Sequence, residues 1–92
     1  MSDELVVATI VGVAEHPGAR APSLLLTLDL GPHGTGDAVL PTGSYGAAEL
    51  EGRQIVCRRD ADGPVIIGAH SHASGLVLLR PDDAVEPGTL VA

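Results

Sequence analysis

Glycine and proline divide this sequence into short apolar segments, and that division limits the folds open to it more than any other feature. The chain has 12 Gly and 7 Pro among its 92 residues. Proline removes a backbone donor and glycine permits tight turns, so both end regular structure. The first of the segments between them, residues 5–13, is rich in β-branched residues, which favour strands. Several short strands joined by Gly-rich turns, with almost no helix, predict a closed or nearly closed β-barrel.

The apolar segments define an order of predicted elements. Six strands are expected, at 5–13, 23–30, 37–40, 53–58, 65–67 and 76–79. A short edge strand is added at 89–91. One helical turn is predicted over 45–50, capped by Ser44 and ended by Gly52. The fifth and sixth strands are expected to pair as a hairpin around a turn at 69–75.

The core has to be small and aliphatic. A chain of this length is predicted to form a single domain over residues 1–92, which buries roughly two thirds of the surface that its unfolded form exposes. Phe and Trp are absent and Tyr45 is the only aromatic residue, so the core is built from Val, Leu, Ile and Ala. Alternation in the second strand places four leucines on one face: Leu24, Leu26, Leu28 and Leu30.

Cysteine content and N-terminal charge indicate the compartment. Cys57 is the only cysteine, which excludes a disulfide within one chain and a metal cluster built on cysteine. A buried core position is favoured for it over a thiol activated by the neighbouring Arg58 and Arg59. The apolar run 5–14 is too short to span a bilayer, and two acidic residues precede it where a secretory signal needs positive charge. We expect a cytoplasmic protein that does not associate with membranes.

The charge balance argues against a polyanionic partner. Twelve acidic residues face five arginines and no lysine, which gives a net charge of −7. Nucleic-acid binding depends largely on basic residues that contact phosphates. The arginines are therefore expected mainly to form ion pairs at the surface, and a local phosphate-binding patch is the alternative.

Four stretches carry a family resemblance when they are taken in order. They are Ile10-Val11 with His16 to Pro22; Leu28 to Gly31; Tyr45 with Glu49-Leu50 and Gly52 to Gln54; and Ile67 to His70 with Gly75 to Asp82 and Pro87-Gly88. Together they resemble the CsaA-type tRNA-binding domain, which also occurs appended to methionyl-tRNA synthetases. The resemblance implies an all-β fold, a small five-stranded OB-fold barrel with one short helical turn, and a homodimer.

The sequence departs from this family at the positions that bind tRNA. Residues 38–40 read Ala-Val-Leu where the family has Ser-Ser-Ala. Leu25 and Ala21 stand where the family has lysines, and Thr9 stands where it has arginine. After the fourth strand, an Asn-containing segment is replaced by the acidic turn 60–63. The resemblance therefore implies a groove that has become apolar and acidic.

These departures favour an OB module repurposed to bind a small molecule. The expected ligand-binding residues are Arg20, Leu25, Asp37, Ala38, Val39 and Leu40. A carboxylate at the mouth of the former groove repels phosphate but can serve as a general base. Whether the chain is an enzyme stays open, and the catalytic candidates are Asp37, His70, His72 and Tyr45. No cofactor is indicated.

Two alternatives accompany this hypothesis. One is binding of tRNA or another nucleic acid through Arg20, Arg53, Arg58 and Arg59. The other is a dimeric assembly or chaperone-like protein whose long first strand pairs across a two-fold axis. His70 and His72 share one face of an extended segment and are weak candidates for a metal site. Two ligands are too few for tight binding, so no metal is predicted.

Overall fold

Seven strands and two short helical turns make up the described part of the chain, which is residues 4–15, 23–41 and 45–91 of this computed structural model. In chain order the strands are β1 (Glu4–Glu15), β2 (Leu24–Asp29), β3 (Thr35–Leu40), β4 (Gln54–Asp60), β5 (Gly63–Ile66), β6 (Gly68–Ser71) and β7 (Gly75–Leu78). The helix α1 spans Ala47–Leu50, and a 3-10 turn spans Gly31–His33.

The first five strands form one antiparallel sheet that curls into a nearly closed barrel. Their order is β3-β2-β1-β4-β5, and β6 pairs with β7 in a separate hairpin. The two edge strands approach each other where Gly36 of β3 meets Pro64 of β5. A Cβ on Gly36 would lie 2.6 Å from the proline Cδ, so only glycine permits this approach. The predicted all-β, five-stranded OB barrel with one short helical turn is confirmed.

A bulge in β1 lets this strand serve both halves of the barrel. Residues 4–9 pair with β4 and residues 9–15 pair with β2. The register with β2 shifts between Ile10 and Gly12, which leaves Val11 as the extra residue with half of its surface exposed. A bulge bends a strand and increases its twist, which closes the barrel at this point.

The barrel interior is aliphatic, as the composition requires. β2 contributes Leu26 and Leu28 to it, and Leu30 follows directly. The leucine face predicted from alternation is thus confirmed, with Leu24 partly buried at its end. The other fully or nearly buried core members are Val6, Ala8, Ile10, Ala38, Leu40, Leu50, Ile55, Cys57 and Leu78.

The predicted pairing of 65–67 with 76–79 is wrong. Residues 63–66 form β5 and pair with β4, while the hairpin joins β6 to β7. The reason is local: Gly63 adopts a φ of 119°, so the turn after Asp60 is tight enough to fold β5 straight back onto β4. Gly75, at a φ of 73°, closes the second hairpin, and the turn expected at 69–75 is shortened accordingly.

Two further boundaries differ from the prediction. β3 begins at Thr35 instead of residue 37, because it pairs with β2 along the whole length of that strand. The helix begins at Ala47 with Gly46 in the capping position, and the Glu49 carboxylate accepts a hydrogen bond from the Gly46 N–H at 2.7 Å. Ser44, the predicted cap, lies outside the described residues.

The C-terminal segment, defined here as residues 85–91, is held against β1 and β4. Residues 88–91 add an edge strand to the start of β1 through three backbone hydrogen bonds and a bridge between Val6 and Leu90. The Gln54 side chain fixes the beginning of the segment, donating to the Val85 carbonyl and accepting from the Val85 N–H. The predicted edge at 89–91 is therefore present.

Helices in the described ranges are short, and none has the length and apolar character needed to cross a bilayer.

Candidate ligand-binding site

The outward side of β2 and β3 carries acidic and uncharged side chains and no cation. We call this surface the strand face; it consists of the cross-strand pairs Leu25–Val39, Thr27–Asp37 and Asp29–Thr35. The Thr27 hydroxyl donates to the Asp37 carboxylate at 3.3 Å, and Asp29 accepts the Gly31 N–H at 2.8 Å. Strands 2 and 3 provide the oligonucleotide-binding face of many OB-folds. Here that face presents two carboxylates.

The six residues predicted to bind a ligand are divided between this face and the barrel interior. Ala38 and Leu40 are 5% and 0% exposed and belong to the core, because alternation along β3 turns them inward. Their side chains pack in the core of the barrel. Leu25, Asp37 and Val39 share the strand face. Arg20 lies outside the described residues.

Two of the arginines proposed for nucleic-acid binding are engaged with carboxylates. Arg59 contacts Glu4 at 3.0 Å and the His33 ring nitrogen Nδ1 at 2.8 Å. Arg58 lies 3.8 Å from the Asp60 carboxylate. Such partly exposed pairs contribute little to stability, on the order of 1 kcal/mol or less. They do offset the positive charge that a phosphate would need.

The other two arginines in the described part of the chain converge on a cavity of about 170 Å³. We call it the arginine cavity, and its lining is Tyr45, Glu49, Leu50, Arg53, Ile55, Val77, Leu78 and Arg80. Its floor is formed by the buried core residues Leu50, Ile55 and Leu78. Arg53 and Arg80 are exposed residues of its lining. Among the described residues, neither Arg53 nor Arg80 forms an ion pair.

Backbone and side-chain hydrogen bonds fix the walls of the arginine cavity. The Tyr45 hydroxyl accepts the Leu78 N–H at 3.0 Å and so joins the segment before α1 to β7. Arg53 is held on both sides, since its N–H donates to the Leu50 carbonyl and its carbonyl accepts from Ile10. The Val56 N–H donates to the Leu79 carbonyl at 2.8 Å, which places Arg80 beside the start of β4. The cavity is therefore preorganised by the fold.

Sequence reasoning missed Arg80 as a site residue, and with it this cavity. Arg53 and Arg80 lie 27 positions apart and come together only because the end of β7 meets β4. The one signal available was that each arginine flanks an apolar strand. That pattern does not say which strands become neighbours.

The four catalytic candidates do not share a cavity among those described. Tyr45 lines the arginine cavity, whereas Asp37 lines a cleft between β3 and the β4–β5 turn. The charged residues that share this cleft with Asp37 are Asp60, Asp62 and Arg59. His70 lies exposed in β6 and His72 in the turn that follows. Within residues 4–15, 23–41 and 45–91, no three metal-ligating side chains cluster.

Cys57 is a core residue, as predicted. Its side chain is fully buried in β4, and burial raises the pKa of the thiol to about 11. A thiol with so high a pKa is a poor nucleophile at neutral pH, because the thiolate is the reactive form.

Comparison with solved structures identifies the architecture. The chaperone CsaA of Bacillus anthracis strain Ames superposes with a TM-score of 0.89 at 24% identity, over 98% of this chain and 91% of that one. The CsaA chaperone protein of Picrophilus torridus gives 0.89 at 24% identity, over 99% and 92%. A MetRS related protein of Pyrococcus horikoshii gives 0.74 at 15% identity, over 98% and 90%.

Sequence comparisons add nothing to this, since no protein-family model and no curated protein matches the chain. At 24% identity and below, structural similarity establishes the fold and leaves the function open. The order of the strands, the closure at Gly36 and Pro64 and the similarity over nearly the whole chain agree. The chain has the CsaA-type OB-fold.

Proposed function

We propose that this chain is a single OB-fold domain over residues 1–92 that binds a small molecule, with the arginine cavity as its site. One observation carries the proposal: Arg53 and Arg80, which have no ion-pair partner in the described chain, stand at an apolar cavity and not on the strand face. Ligand sites are concave and mostly apolar, with a few polar groups that fix orientation. The arginine cavity has that composition.

The charge distribution supports a small ligand over tRNA. Oligonucleotides on OB-folds are held by cations along the backbone and by aromatic rings that stack on bases. The strand face offers Asp37 in place of a cation, and Arg59 is occupied by Glu4. Tyr45 is the only aromatic residue, and its hydroxyl is bound to the backbone of β7.

A homodimer is part of the proposal, although not through β1. The start of that strand is occupied on one edge by β4 and on the other by the C-terminal segment, so it has no free edge for a second copy. Exposed apolar side chains are nevertheless present here, namely Leu5 of β1 and Leu90 and Val91 of the C-terminal segment, and Leu90 is 59% exposed. Sedimentation equilibrium of the full chain and of Leu90→Ser tests this surface: we expect a dimer that the substitution weakens, and a monomeric wild type excludes it.

An NMR fragment screen tests the proposed site. A library of small acids, amides and amines is added to ¹⁵N-labelled protein, and amide shifts are followed. We expect hits that move the resonances of Leu50, Val77 and Leu78, with little change at Thr27 and Val39 on the strand face. A screen without hits, or with hits confined to the strand face, would show that the cavity is not the site.

A further inference from the structure

We propose that the arginine cavity selects a small carboxylic acid with a short apolar body, whose carboxylate lies between Arg53 and Arg80. This inference rests on the proposed function, and it adds the chemical class of the ligand. A lining that combines two exposed arginines with an aliphatic floor is complementary to a molecule that is charged at one end and apolar at the other.

The charge of the two arginines favours an anion. Arginine presents a planar fork of N–H donors that matches a carboxylate in two parallel hydrogen bonds. Arg58 and Arg59 already face carboxylates of the chain, whereas no described acid lies within ion-pair distance of Arg53 or Arg80. Glu49 also lines the cavity, but its carboxylate is committed to the Gly46 N–H at 2.7 Å.

The surroundings favour a single negative charge over two. Arg53 and Arg80 also border an adjoining open cleft that contains Asp82 and Asp83. With Glu49 on the lining and these two acids nearby, a doubly charged phosphate would meet more repulsion than a carboxylate would. A monoanion also loses less hydration free energy than a dianion does when it leaves water for the cavity.

The floor and the volume limit the apolar part of the ligand. Leu50, Ile55 and Leu78 are buried in the core cluster and present hydrocarbon to the cavity, with Val77 at its edge. The cavity volume is about 170 Å³, which is smaller than the roughly 300–1,000 Å³ of a drug-sized site. A short aliphatic chain or one aromatic ring is therefore the fitting occupant.

Matched probes test the carboxylate directly. Hexanoate, hexanamide and hexylamine share one aliphatic chain, and benzoate and benzamide share one ring. Each is titrated into ¹⁵N-labelled protein to about 20 mM, a range suited to ligands of so few atoms. We expect each acid to shift the amides of Leu50, Val77 and Leu78 and to bind about tenfold more tightly than its amide, since charged hydrogen bonds are lost in the amide. Hexylamine and inorganic phosphate should not shift these resonances.

Charge-removing variants assign the effect to the two arginines. Arg53→Gln and Arg80→Gln should each weaken hexanoate about tenfold. Arg58→Gln, which removes the same charge outside the cavity, should leave the affinity unchanged. The amide spectrum of each variant reports in the same experiment whether the fold is intact.

The outcomes separate this inference from the function on which it depends. If the acids bind no better than their amides, or if Arg53→Gln and Arg80→Gln bind them as wild type does, the carboxylate assignment is wrong while small-molecule binding in the cavity stands. If neither the acids nor any library fragment reaches the cavity, both proposals fail together.

Discussion

The strand face and the arginine cavity belong to one barrel but carry opposite charge. The first has Asp29 and Asp37 among six outward residues and no cation. The second gathers Arg53 and Arg80 over a floor of buried aliphatic side chains. An OB-fold usually places its cations where an oligonucleotide lies across strands 2 and 3. The difference shows that the fold alone does not determine where a chain can bind an anion. The positions of a few charged side chains determine it.

The largest effect we expect distinguishes core from surface on β3. Leu40→Ala should lower the free energy of unfolding by about 2–5 kcal/mol, because it removes a fully buried side chain and leaves a cavity. Val39→Ala, one position away on the strand face, should cost about 1 kcal/mol or less. Urea denaturation of both variants measures this. Equal losses would mean that residues 38–40 do not alternate between interior and surface.

The reactivity of Cys57 tests the same interior from the β4 side. Because burial raises the pKa of its thiol from 9.0 to about 11, the thiolate fraction at pH 8 falls about a hundredfold. Alkylation by iodoacetamide, followed by mass spectrometry, should be slower by at least that factor in the folded protein than in guanidinium chloride. The folded state retains the proton longer than the unfolded state does, so stability should fall as pH rises from about 9 towards 11. Labelling of the folded chain at the unfolded rate would place Cys57 on the surface.

Closure of the barrel between β3 and β5 depends on Gly36. Gly36→Ala should cost about 1–3 kcal/mol of unfolding free energy, because its Cβ would meet the Pro64 ring at 2.6 Å. Gly12→Ala is the matched control, since its Cβ would meet Thr27 at an ordinary 3.4 Å. Thermal denaturation compares the two. A Gly36→Ala protein as stable as wild type would mean that β3 and β5 do not pack this closely.

The smallest effect concerns the wall of the arginine cavity. Tyr45→Phe removes the hydroxyl that accepts the Leu78 N–H, and this should cost about 1 kcal/mol. Hydrogen exchange should become faster at Leu78 and stay unchanged at Leu28, which lies in β2 and pairs with β1 and β3. Unchanged exchange at both would show that the tyrosine does not hold β7.

Much of the fold follows from local sequence, and most of the site does not. Alternation in β2 predicts the buried leucines correctly, because every second side chain of a barrel strand points into the core. The hairpin prediction failed because 65–67 and 76–79 are equally apolar, and periodicity does not choose partners. Ala38 and Leu40 were assigned to a groove from the resemblance, although β3 turns them inward. Arg80 was missed because it is brought beside β4 by the backbone hydrogen bond between Val56 and Leu79, a contact between distant segments that no local pattern encodes.

The most direct test of the central claim is tRNA binding measured by fluorescence anisotropy at about 20 mM and then about 150 mM salt, the range in which phosphate contacts are first exposed and then screened. We expect no binding at the lower salt, since the strand face is acidic and Arg59 is paired with Glu4. Binding that falls steeply between the two salt concentrations would contradict the account and would indicate that the arginines form a nucleic-acid interface.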